Sequence, residues 1–145
     1  MADNSASSLW YHGQCYCGGV HFEVDSSIKP VKALYCHCES CRRAHSAPLY
    51  QIVYTPVEAF RITKGEELLK AFSRSESNPI RYFCSDCGSR VKNFLPYKPQ
   101  IGIGFFPALL DEEVQQHLPE VFKPTHHYRS VESVLPCLQD NLERL

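Results

Sequence analysis

Seven of the eight cysteines fall into three tight groups: Cys15-Tyr16-Cys17, Cys36-His37-Cys38-Glu39-Ser40-Cys41 and Cys84-Ser85-Asp86-Cys87. Sulfur ligands at this spacing suit zinc, and their number sets the chemistry. A structural zinc is closed by four ligands, whereas a catalytic one keeps three protein ligands and an exchangeable position. The chain carries enough thiols for one site of each kind.

Local geometry suggests the partition. In an extended segment residues i and i+2 point the same way, so Cys15 and Cys17 can turn both sulfurs toward one ion. Cys84 and Cys87 form a Cys-x-x-Cys turn followed by Gly88, a residue that accepts the positive φ such a knuckle requires. Joining these two pairs would clip together segments about seventy residues apart, which contributes folding free energy directly. The alternative is a set of unpaired buried thiols. Cys36, Cys38 and Cys41 already lie within six residues of one another and have no fourth local partner. They read as an open zinc site, or else as a second structural site completed by a distant side chain. Cys137 is the spare sulfur, a small core residue or that fourth ligand.

Several side chains beside the trio are candidates for the rest of the chemistry. Three thiolates on Zn²⁺ leave about one negative charge by formal counting, and Arg42 and Arg43 stand next to it as counter-charges or as a grip for an anionic substrate. His45 is the candidate proton carrier near neutral pH, against the plainer reading of an exposed loop histidine. His37, between two ligands, faces away from the metal as a hydrogen-bonded or surface group. In His126-His127-Tyr128 alternation turns one histidine inward, in a core or surface role and not as a ligand.

The elements that must position these groups are mostly strands. Residues 19–25 alternate Val20, Phe22 and Val24 against His21, Glu23 and Asp25, the pattern of a half-exposed strand. Shorter runs at 31–35, 49–54, 59–63, 80–83, 90–94 and 100–106 read the same way. Ten prolines and seven glycines punctuate them, which suits packed sheets better than a helical bundle. Residues 66–72 fit a strand or one helical turn, while 109–116 and 134–142 are the helix candidates. The stretch 73–78 reads as a surface loop.

The 145 residues suffice for one domain, with 43% hydrophobic content giving it a core. We expect an unstructured segment over 1–10 and a single zinc-binding β domain over 11–145. Fifteen basic against sixteen acidic residues offer no charge excess for nucleic acid or an anionic membrane. Neither a signal peptide nor an apolar stretch of bilayer length is evident, so the expected compartment is the reducing cytoplasm, where cysteines serve metals and not disulfides.

Residues 13–24, 36–43 and 83–89, taken in that order and spacing, closely resemble the glutathione-dependent formaldehyde-activating enzyme family, which also includes centromere protein V. Leu110-Asp111 and residues 124–128 look like its weaker carboxy-terminal features. The resemblance implies a tent-like fold of packed antiparallel sheets with a zinc-ribbon-type structural zinc on Cys15, Cys17, Cys84 and Cys87, and a catalytic zinc on Cys36, Cys38 and Cys41. It also implies a carbon–sulfur lyase that forms S-hydroxymethylglutathione from glutathione and formaldehyde, with a thiol and an aldehyde as small-molecule partners. One departure stands out: Ser46 occupies a position where family members commonly have glycine. The competing reading is a non-catalytic zinc module that binds another protein, as in the centromere protein V branch. Exposed strand edges make an oligomer compatible with either.

Overall fold

The computed structural model describes residues 9–135 and 140–145. The chain runs β1 (Trp10–Gln14), β2 (His21–Asp25), β3 (Lys32–Cys36), α1 (Glu39–His45), β4 (Tyr50–Thr55), β5 (Phe60–Lys64), β6 (Leu69–Phe72), β7 (Ile80–Cys84), β8 (Arg90–Phe94), β9 (Ile103–Phe105), α2 (Glu112–Gln116), β10 (His126–Tyr128) and β11 (Glu143–Arg144). Among the described residues the protein is mainly β, with two short α-helices. A three-stranded sheet of order β1-β2-β5 packs on an eight-stranded sheet of order β11-β10-β3-β4-β9-β8-β7-β6. Pairing is antiparallel except at one end of the large sheet, where β10 runs parallel to both β3 and β11. β10 reaches β3 after a long excursion and not through a tight hairpin, so nothing forces antiparallel pairing there.

Period-two alternation along the large sheet separates two cores. On β4, Val53 joins Phe22, Phe60, Phe105 and Phe122 in the layer between the sheets, while Ile52 and Tyr54 point to the other face with Leu34, Leu95 and Phe106. Ala33 and Leu34 of β3 divide in the same way. Four consecutive residues of β4, Ile52 to Thr55, are therefore buried, as expected of a strand covered on both faces. Each core contains part of one cysteine group: Cys15 and Cys84 lie in the first, Cys36 and Cys41 in the second.

Several expectations need correction. β1 opens at Trp10, within the segment expected to be unstructured, because Trp10 pairs with Asp25 and the Arg61 guanidinium sits 3.9 Å from its ring centre. Residues 66–72 are both of the predicted alternatives in succession, a 3-10 turn (Glu66–Leu68) leading into β6. Residues 39–45, not among the helix candidates read from the sequence, form α1. Within the candidate helix 134–142, residues 136–139 lie outside the described residues and the flanking described residues are not helical. Cys137 lies outside the described residues as well. No helix among the described residues is long and apolar enough to cross a membrane.

Candidate metal centres

Cys15 follows β1, and Cys17 lies not in an extended segment but in the turn that leads to β2. Its carrier turn is closed by hydrogen bonds from Cys15 N–H to Val20 O and from Gly18 N–H to Cys15 O, each 3.0 Å. Cys84 ends β7, and Gly88 N–H donates to Cys84 O at 2.8 Å with Gly88 at φ 80°, so the glycine supplies the left-handed turn that brings Cys87 back. All four sulfurs lie within 4.8 Å of one another. Cys15 to Cys17 is 3.6 Å and Cys17 to Cys84 is 3.8 Å. A tetrahedron with metal–sulfur bonds of about 2.3 Å has edges of about 3.8 Å, so the quartet has the dimensions of a closed zinc site. Two amides, Gly19 N–H to Cys17 Sγ at 3.4 Å and Val20 N–H to Cys15 Sγ at 3.3 Å, direct positive dipoles at the sulfurs.

The second group sits where β3 hands over to α1. Cys36 is the last residue of β3, Cys38 is the N-cap of α1 and Cys41 lies one turn into the helix. Residues 38 and 41 are three apart, which places them on one face of the first turn. Cys36 and Cys38 sulfurs are 3.5 Å apart, and all three lie within 4.8 Å of one another. Their chemistry and spacing fit zinc with one vertex of the tetrahedron left over. Hydrogen bonds with Cys36 and Cys41 hold the Cys38 thiol far below its usual range, while the bond to Cys38 pushes Cys36 far above it.

The trio opens on a cavity of about 460 Å³, a size suited to a small ligand. The register explains its walls: Cys36 pairs with Tyr50 of β4 on one side and with Tyr128 of β10 on the other. Tyr50, Tyr54, Tyr97 and Tyr128 all line it, with Lys98 and Arg129 among its cations. Burial drives the Tyr50 and Tyr54 hydroxyls upward, so both remain protonated. The Tyr50 oxygen is 3.4 Å from Cys41 Sγ.

Arg42 and Arg43 are not on this cavity. Arg42 Nε–H donates to His37 O at 2.9 Å, and Arg43, 77% exposed, faces Glu39 at 3.5 Å across one helical turn. The cation that touches the trio is Arg81 of β7, whose Nη2 lies 3.7 Å from Cys41 Sγ. Forty residues separate the two in the chain, so adjacency in sequence could not reveal it.

His45 is also displaced from its expected part. It lines a separate cavity on the far side of Tyr50, stacks on that ring at 4.3 Å and 10°, and contacts Phe106 edge-on. Burial first, then the Arg81 and Arg90 charges, push its imidazole down to about 3, so the ring is neutral near neutral pH. His37 does face away from the sulfurs: it is fully buried and its Nε2 meets His127 Nδ1 at 2.8 Å. His127 Nε2–H in turn donates to the Asp140 carboxylate at 3.0 Å. Both His126 and His127 are buried, where only one was expected, since β10 is covered on both faces. Elsewhere, Asp111, His12 and His21 form a hydrogen-bonded chain ending on Gly18 O, which ties the start of α2 to the turn carrying Cys17.

Fold and sulfur geometry together define a β domain with one closed and one open cysteine cluster, each able to hold a metal ion. The chain belongs to the glutathione-dependent formaldehyde-activating enzyme family, whose model matches residues 10–128. It is 30% identical over 81 residues to an uncharacterized lyase of Schizosaccharomyces pombe, across 56% of this chain and 55% of that protein. It is 29% identical over 101 residues to a Halomonas elongata protein named for glutathione-dependent formaldehyde activation, across 67% of this chain and 64% of that one. The matched span thus covers between half and two thirds of these relatives. The crystal structure of a Rhodobacter sphaeroides protein shares the fold, with a TM-score of 0.56 at 23% identity over 75% of this chain and 95% of that one.

Proposed function

We propose that the protein adds a thiol to an aldehyde at a zinc ion held by Cys36, Cys38 and Cys41, with glutathione and formaldehyde as the reacting pair, and that Cys15, Cys17, Cys84 and Cys87 hold a second, structural zinc. The observation that carries this reading is the contrast between the two clusters: four sulfurs close on themselves, and three open on a 460 Å³ cavity. The family and the names of its members support the same choice.

In the reaction R–SH adds across H₂C=O: one S–C bond forms and the thiol proton ends on the former carbonyl oxygen. The reverse breaks that bond, which is the lyase direction. Zinc at the trio supplies a Lewis acid for the aldehyde oxygen and stabilises the thiolate. The chain's own residues do the rest. Tyr50 and Tyr54 line the cavity as neutral O–H donors able to hydrogen-bond the oxygen as it takes up charge. Glutathione brings two carboxylates and one ammonium, and the lining offers Lys32, Lys98 and Arg129 against Glu39 and Glu132. A protein-docking module has no use for sulfurs opening into such a recess, so the interaction-module reading is the weaker one.

Zinc-loaded protein mixed with formaldehyde and glutathione is expected to speed exchange into the S-hydroxymethyl adduct above the uncatalysed rate, read by NMR exchange spectroscopy. Cys38→Ser is expected to abolish the gain while the quartet keeps its metal. Absence of acceleration with every member of a thiol panel, both sites being loaded, overturns the proposal.

A further inference from the structure

Arg81 is 7% exposed on β7, yet among the described residues no carboxylate pairs with it. A guanidinium taken out of water needs an anion nearby. It contacts Cys41 Sγ, 3.7 Å from Nη2, and His45 Nε2, 3.4 Å from Nη1, and it also meets the neutral Tyr50 hydroxyl. Since the neutral His45 ring brings no charge, the anion must come from the sulfurs. The trio with a divalent ion carries one net negative charge by formal counting, and Arg81 matches it one for one. At the trio Cys41 meets two side chains, the Arg81 guanidinium and the Tyr50 hydroxyl.

We propose that Arg81, oriented by His45, is the positioning residue that offsets the charge of the three-sulfur centre and so lets it hold a divalent metal with its fourth position free for substrate. The inference rests on the assignment of the trio as a metal site. Three features act together. β7 delivers the guanidinium to Cys41, and Arg81 is not among the residues that line the cavity, so it does not occupy the cavity side of the metal. His45 accepts from Nη1, its flat stack on Tyr50 fixing the acceptor nitrogen. That leaves Nη2 directed at Cys41. Glu39 and Glu132 line the cavity but, among the described residues, no carboxylate pairs with Arg81, which leaves its positive charge for the sulfurs and for a substrate thiolate that adds one more negative charge.

The test uses full-length protein loaded with Co²⁺, whose thiolate charge-transfer absorption reports each sulfur site, and competition with a chelator for affinity. Arg81→Gln is expected to weaken metal binding at the trio by about tenfold or more, the worth of a charge-assisted hydrogen bond. The quartet metal, retained, reports that the variant is folded. Arg81→Lys is expected to recover most of the loss, and His45→Phe, which keeps the stacked ring but removes the acceptor, to weaken the trio alone by severalfold with a shift in its charge-transfer band. If Arg81→Gln loses both metals, His45→Phe and Arg81→Lys decide between the outcomes. Trio affinity within twofold of wild type in Arg81→Gln, or an unchanged trio in His45→Phe, overturns the proposal. Wild-type protein that takes up only one Co²⁺ per chain defeats the metal assignment itself, a separate result.

Discussion

Ser46 closes α1 at φ 52° and ψ 43°, a left-handed conformation in which its N–H donates to Arg42 O. A side chain with a Cβ is strained there by about 1–2 kcal/mol, whereas glycine is not. The position terminates the helix that bears Cys38 and Cys41, so the strain falls beside the trio. Ser46→Gly is expected to raise stability by about 0.5–1 kcal/mol, part of the relief being offset by glycine's greater unfolded-state freedom. Urea denaturation of the metal-loaded proteins checks this, and a midpoint that falls would contradict it. Sulfur spacing made the two cysteine clusters legible, because each pair or trio is local. Arg81, His45 and Tyr50 were not, or not in their right parts, because their relation to Cys41 exists only after β4 and β7 have been brought to α1. Proximity in sequence pointed to Arg42 and Arg43, but the helix turns one toward a backbone carbonyl and the other toward solvent.

At the scale of elements, β4 is the wall shared by the two cores and β9 is its neighbour. Gly102 makes their approach possible: at φ 82°, a Cβ on it would lie 2.0 Å from Thr55 O at the end of β4. Backbone, not a pliable side chain, is what it would strike. Gly102→Ala is expected to cost about 1–3 kcal/mol and to displace Ile101 and Tyr54, which line the cavity beside the trio. Denaturation midpoints measure the first effect and near-ultraviolet circular dichroism of the tyrosines the second; unchanged values for both would refute the close approach. Alternation revealed most of these strands because half-buried strands must alternate. α1 escaped notice because seven residues give barely two turns, too few to establish a helical period. The parallel pairing of β10 with β3 was likewise hidden, since no turn signal marks a partner ninety residues away.

For the whole molecule, the two sulfur clusters are expected to differ in what their loss destroys. Cys17 and Cys84 are 67 residues apart and join the turn after β1, in the small sheet, to the end of β7, in the large one. A metal there closes a long loop and holds the sheets against the core they share. Cys36, Cys38 and Cys41 close a loop of only a few residues on the opposite face, so a metal there orders the β3–α1 junction and little else. Structural zinc contributes about 10–16 kcal/mol at neutral pH, comparable to or greater than the roughly 5–15 kcal/mol stability of a domain. A mild chelator is therefore expected to withdraw about one zinc per chain, abolishing adduct formation and lowering the thermal midpoint by only a few degrees, since one or two kcal/mol shift a domain of this size by that much. The second zinc is expected to leave only as the far-ultraviolet signal of the sheets collapses, the two traces superimposing against chelator or denaturant. Metal content by mass spectrometry, followed in parallel with circular dichroism, distinguishes the cases. Release of the second zinc with the sheets intact would show that packing of the aromatic core, and not the sulfur clip, holds the two sheets together.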